Sequence, residues 1–260
     1  MRYKFSLEML PDVSGSVLPI CYQFALSDCF TKMLTSDIAD YEAWLLANGQ
    51  NPATPCNVRY YCISNLYIPK IHVEEDRLEI NVPRVQFWVS FLPKVGTREL
   101  LERRFLGRQF SIGDSVSSVA FRVDGIEDVS PVVYTDFIEY QSLAPIVVKA
   151  IRPNKTLEYL TPTNYFFGKF LVEDLIERWE RYYQRPYTGY RGFRFDLLCP
   201  ERRKAVAIFP ETAYQQKLVG YMIKFSLQMS PVLQEFAYDA GIGDNIEHGF
   251  GYVELLKKKK

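Results

Sequence analysis

The chain has 260 residues, of which 48% are hydrophobic and 15% aromatic, so it exceeds the usual single domain and can fill two cores. That composition argues against disorder outside the last few residues. Lys+Arg and Asp+Glu both number 31; divided near Gly125, the chain has 13 basic against 14 acidic residues, then 18 against 17. Neither half is a polycation, so a polyanionic partner would have to meet charge clustered in space.

The five cysteines, Cys21, Cys29, Cys56, Cys62 and Cys199, include no C-x-x-C pair, which points to reduced thiols rather than a zinc site or a disulfide framework. Met1 to Glu8 carries charges where a secretory signal needs an apolar run. No stretch is long and apolar enough to read as a membrane span, so the expectation is a soluble, cytoplasmic protein. No cofactor motif is present, and no G-x-x-x-x-G-K-[ST] occurs.

Tyr3 to Leu10 alternates apolar and polar residues and is predicted as a strand. From Pro19, the spacing of Ile20, Phe24, Phe30 and Leu34 predicts a helix, followed by a second over Asp37 to Ala47 that stops at Asn48-Gly49. Strands are expected near Val58–Leu66, Arg77–Val82 and Val85–Leu92. A helix follows from Thr97, read as its cap, to Leu106, and strand character returns from Gln109 to Val123. The order is β-α-β-β-α-β.

The pattern then recurs. Val132–Tyr140 and Ile146–Ile151 read as strand segments, and Thr163 to Tyr183 as a long helix with Phe167, Phe170, Leu171, Leu175 and Trp179 along one face. Arg191–Cys199 and Lys204–Phe209 are expected to form a hairpin around Pro200 to Arg203. Thr212 to Gln228 reads as further hairpin, Pro231 to Ala240 as a short helix and Gly251 to Leu256 as the last strand. The fold class expected is α+β, two tandem ferredoxin-like domains: 1–125 and 126–256, with a basic tail at 257–260.

The most specific stretch runs from Gly241 to Tyr252, with Gly241, Gly243, Gly249 and Gly251 within eleven residues. Glycines there permit close backbone approach, and exposed amides in such a loop would form an anion-binding concavity. The segment resembles the C-terminal glycine-rich signature of the CRISPR repeat-RNA endoribonucleases of the RAMP superfamily: G-x-G, a polar spacer, then G-F-G and an apolar strand. Gly241, Gly243, Gly249, Phe250 and Gly251 carry the match. Leu143-Ala144-Pro145-Ile146 resembles the segment that opens the family's second domain, and Tyr3–Leu10 followed by Tyr22-Gln23 resembles its start.

The resemblance implies two ferredoxin-like domains, CRISPR repeat RNA as partner, effector-complex subunits as further partners, and no cofactor. It also implies cleavage in which a 2′-hydroxyl attacks the adjacent phosphate, leaving a cyclic phosphate and a 5′-hydroxyl without a metal. That reaction needs a base, an acid and a cation for the phosphorane charge. Many members place a histidine at the end of the first domain's helical region; here Tyr41 to Ala47 has none, and Leu45 or Leu46 stands there. His72 with Lys70 is one substitute, and Tyr22 and Lys32 lie near where the family's catalytic groups cluster. RNA contacts are expected from Gly241, Gly243, His248, Gly249, Phe250 and Gly251. The densest internal basic cluster, Arg191, Arg194, Arg202, Arg203 and Lys204, suits phosphate contacts. The leading expectation is a repeat-RNA endoribonuclease with an altered active site; the alternative is a non-catalytic binding protein or effector-complex subunit that holds processed guide RNA.

Overall fold

A computed structural model describes residues 1–53 and 58–256; Cys56 and the basic tail fall outside them. In chain order come β1 (Arg2–Met9), β2 (Val17–Pro19), α1 (Gln23–Leu34), α2 (Ile38–Ala47), β3 (Tyr61–Ile63), β4 (Ile71–Glu74) and β5 (Arg77–Ile80). They are followed by β6 (Arg84–Phe91), α3 (Thr97–Phe105), β7 (Gln109–Gly113), β8 (Ser118–Asp128), β9 (Phe137–Ser142), β10 (Lys149–Ile151) and β11 (Leu157–Tyr159). The chain continues through α4 (Phe167–Tyr183), β12 (Arg194–Leu197), β13 (Arg202–Ile208), β14 (Gln216–Met222), β15 (Lys224–Gln228), α5 (Pro231–Ala240) and β16 (Val253–Leu255). Two compact units result. The first gathers the described residues of Met1–Pro55, Asn65–Ser130 and Ala207–Gln216; the second gathers those of Cys56–Ser64, Pro131–Val206 and Lys217–Lys260.

In the first unit β1 lies between β6 and β8, antiparallel to both, and β7 flanks β8. Alternation decides the face: Tyr3, Phe5 and Leu7 point inward, as do Val85, Phe87 and Val89. Helix α1 buries Leu26, Phe30 and Leu34 at four-residue spacing, one stripe of the helix. Phe5 stacks on Phe87 at 4.8 Å and Phe30 on Phe105 at 4.5 Å, so sheet and helices share one aromatic core. Each such ring removed from water contributes about 1.5–3 kcal/mol. A separate three-stranded sheet, β2-β5-β4, carries the exposed strand β4 at its edge.

The second unit has the complete ferredoxin-like order: β9, α4, β12, β15, α5, β16, with the sheet in the order β12-β15-β9-β16. Helix α4 buries Phe167, Leu171, Leu175 and Trp179 and packs on α5. Helix α5 starts where its sequence says it should, with Pro231 in the first turn and the Ser230 side chain accepting from Leu233 N–H.

Two expectations are corrected. Arg191–Cys199 and Lys204–Phe209 do not pair with each other: β12 pairs with β15, and β13 pairs with β14 in a hairpin inserted between them. Strand β12 supplies the second strand of the ferredoxin pattern, so its partner comes from later in the chain. The cap of α3 is Gly96, in the left-handed conformation, rather than Thr97. The Thr97 hydroxyl instead donates to Pro93 O and accepts from the buried Trp44 indole. Among the described residues no helix is long and apolar enough to cross a membrane.

Candidate functional site

The glycine-rich loop is built inward. Gly241, Gly243, Gly249 and Gly251 all have φ between 77° and 85°, which L side chains rarely adopt. A Cβ on Gly241 would lie 2.6 Å from Cys62 Sγ, and one on Gly243 would press into Val147 O. The amides of Ile242, Asp244 and Gly251 donate to Gly251 O, Val147 O and Pro145 O, and those of His248 and Gly249 to Asn245 O and Ile246 O. The expected row of exposed amides is therefore absent at these five positions, because the loop satisfies its donors with its own second-unit carbonyls. Phe250 is buried with 0% exposure; of the loop's predicted contact residues, His248 is half-buried and lies 3.5 Å from Glu247.

Two side chains the sequence reading missed pin this loop. Arg178, buried on α4, donates to Ala240 O at 3.3 Å and Gly241 O at 3.0 Å, capping the end of α5, and pairs with Asp174 at 2.8 Å. The Asp244 carboxylate accepts from Lys149 N–H at 2.7 Å, and burial raises its pKa above the ordinary carboxylate value. Arg178 stands in the charged run Glu177 to Arg181 and Asp244 in a polar turn, so neither is distinguished by a motif.

The basic residues separate into two kinds. Arg191 pairs with Glu180 and Arg194 with Asp196, both at 2.8 Å. Arg202, Arg203 and Lys204, on β13, are exposed and have no carboxylate partner among the described residues. They sit at the base of the β13–β14 hairpin, not at a tip. Lys217 on β14 and Lys224 on β15 share this condition. Sequence reading passed over both, because a lone lysine in a strand looks like ordinary solvent-facing alternation. These five residues leave uncompensated positive charge on β13, β14 and β15.

The predicted catalytic residues all belong to the first unit. His72 lies on exposed β4, in register with Glu79 of β5, and Lys70 stands in the bend just before that strand. Lys32 is exposed and held 2.6 Å from Asp28, the contact that raises its pKa. Tyr22 is 5% exposed; its hydroxyl accepts from Leu66 N–H at 3.1 Å, and burial pushes its pKa well above the ordinary phenol value. In α2, Leu45 is core and Leu46 is 60% exposed, so an apolar side chain occupies the outward position.

Residues 129–255 match the family model for CRISPR associated protein Cas6, C-terminal. Among solved structures, an RAMP protein binding different RNA substrates is similar over 99% of this chain and 100% of its own, at 22% identity and TM-score 0.79. A Cas6-related protein from Pyrococcus furiosus is similar over 100% and 99%, at 20% identity and TM-score 0.78. A structure described as CRISPR associated protein Cas6 is similar over 99% of each chain, at 19% identity and TM-score 0.73. No curated protein sequence matches the chain.

Proposed function

We propose that the chain binds CRISPR repeat RNA and cleaves it within the repeat, a reading supported by the match of residues 129–255 to the Cas6 C-terminal family model and by the likeness of the whole chain's fold to Cas6 structures. The observation that carries the binding half is the set of five unpartnered cations on β13, β14 and β15 of the second unit. Cations left without carboxylates release no partner when they meet phosphate, so they favour RNA in a salt-dependent way.

For cleavage, the 2′-hydroxyl attacks its own 3′-phosphate; the bond to the 5′-oxygen breaks, giving a 2′,3′-cyclic phosphate and a 5′-hydroxyl. His72 is the base, since imidazole is the side chain best suited to taking a proton from a hydroxyl, and it stands in register with Glu79 on the neighbouring strand. Lys70 supplies charge to the phosphorane, and Lys32 is the second cation. Tyr22 works from inside the core by holding Leu66, which fixes the entry to the strand region that carries Lys70 and His72. No step calls on a metal or cofactor. His72→Ala is expected to lower cleavage more than about tenfold with RNA affinity kept; undiminished cutting by that variant overturns the assignment.

A second reading, a non-catalytic carrier of processed RNA or an effector-complex subunit, is favoured by one observation: helix α2 presents Leu46 outward and carries no histidine. Repeat RNA bound tightly but never cut by the unmodified protein would select it.

A further inference from the structure

The second unit holds a groove of about 760 Å³ between helix α4 and the edge strand β12, separate from the basic hairpin and the glycine loop. Its floor is apolar, formed by Val172, Ile176 and Phe195. Gly168 makes it possible, since a Cβ there would lie 2.7 Å from Phe195 Cβ and the strand could not approach the helix as it does. Two rings stand at its rims, Tyr165 with 91% exposure and Phe193 with 40%. Tyr165 meets Phe166 edge-on, 5.3 Å between ring centres, yet both rings keep much of their apolar surface in water, which costs hydration.

We propose that this groove is a stacking site for a single-stranded stretch of RNA, with bases laid on Tyr165 and Phe193. The proposal rests on the RNA reading above and deepens it: the hairpin cations hold the backbone and the groove takes unpaired bases. Base–ring stacking is sequence-tolerant because every base has a π-face, and it needs exposed rings beside a cationic track. Lys169, Arg191 and Arg194 line the groove but are each neutralised by a carboxylate (Glu173 at 3.8 Å; Glu180 and Asp196 at 2.8 Å), so the uncompensated charge lies at its far end. At the far end Leu197 pairs with Phe225, and Leu198 N–H donates to Lys224 O, so the groove runs out beside an unpartnered cation of the phosphate-binding set.

The test uses the full chain and a labelled oligoadenylate as single-stranded probe, titrated at several salt concentrations. Tyr165→Ala with Phe193→Ala should weaken binding at least about tenfold while leaving the salt slope unchanged, because stacking is lost and no cation is removed. Tyr165→Trp with Phe193→Trp keeps both rings and should stay within about twofold of the parent. Charge reversal at Arg202, Arg203 and Lys204 should instead flatten the salt slope. If the alanine pair binds within about twofold of the parent while charge reversal weakens binding, the groove assignment falls and the RNA reading stands. If neither variant changes affinity, both fall. Untouched RNA affinity together with lost protein-partner capture would also overturn the proposal, reassigning the groove to an extended peptide along β12.

Discussion

Replacing Gly251 by alanine separates a packed loop from an open phosphate nest. Gly251 has φ +79°, and a Cβ there would lie 3.2 Å from the Ile242 carbonyl carbon and closer still to its oxygen and to Ile246 Cδ1. The isoleucine tip can rotate away; the Ile242 carbonyl cannot, because it belongs to the loop that closes on Gly251 through the Ile242 N–H to Gly251 O bond. Left-handed backbone costs a non-glycine residue about 1–2 kcal/mol, and overpacking adds roughly 1–3 kcal/mol. The sum, about 2–5 kcal/mol, is large against a total domain stability of about 5–15 kcal/mol. Urea unfolding followed by circular dichroism reads it as a midpoint lowered by about 1–2 M at ordinary slopes. Gly125→Ala is the control: nothing lies within 4 Å of its Cβ position and its φ is not positive, so stability should stay within about 0.5 kcal/mol. A Gly251→Ala protein as stable as its parent would refute the close-packing account of the loop.

Arg178→Met keeps the stem on α4 but leaves Ala240 O and Gly241 O without their charged donor; a loss of about 2–3 kcal/mol in the same denaturation assay is expected. Burial raises the Asp244 pKa, so the folded chain binds that proton more tightly than the unfolded one. Its contribution to stability is therefore most favourable in acid and is lost as pH rises from the unfolded value through the folded one. Asp244→Asn keeps an acceptor for Lys149 N–H and should flatten that slope in pH-dependent melting; an unchanged slope would show that another group causes it. Reversing Arg202, Arg203 and Lys204 together should reduce RNA affinity and its salt dependence, measured by gel shift at graded salt, and unaltered binding would move the RNA surface elsewhere.

Much of the fold was legible because each element obeyed one period. Tyr3–Leu10 alternates and is β1; the four-residue spacing of Phe167, Leu171, Leu175 and Trp179 is α4; Pro231 to Ala240 is α5 to the residue. Strand partners were not legible. Alternation tells which face of a strand is apolar but not which strand lies beside it, so β12 and β13 were paired with each other when each pairs with a later strand. The glycine signature was readable as a motif, but its direction was not. Whether amides at Gly241–Gly251 face outward or bond to Pro145, Val147 and Ile242 depends on contacts distant in sequence. Charge pairing was hidden for the same reason: Arg191 and Arg202 look equivalent in the chain, yet one is neutralised by Glu180 and the other has no partner among the described residues.

The most direct test of the central claim incubates the purified protein with end-labelled repeat RNA from its own host locus, in EDTA, reading gel shift and cleavage in the same samples. The account predicts a salt-sensitive complex and a single cut that leaves a cyclic-phosphate end, lost in His72→Ala. Binding without any cut would contradict the catalytic assignment and establish the carrier reading, and absence of both would contradict the proposed function altogether.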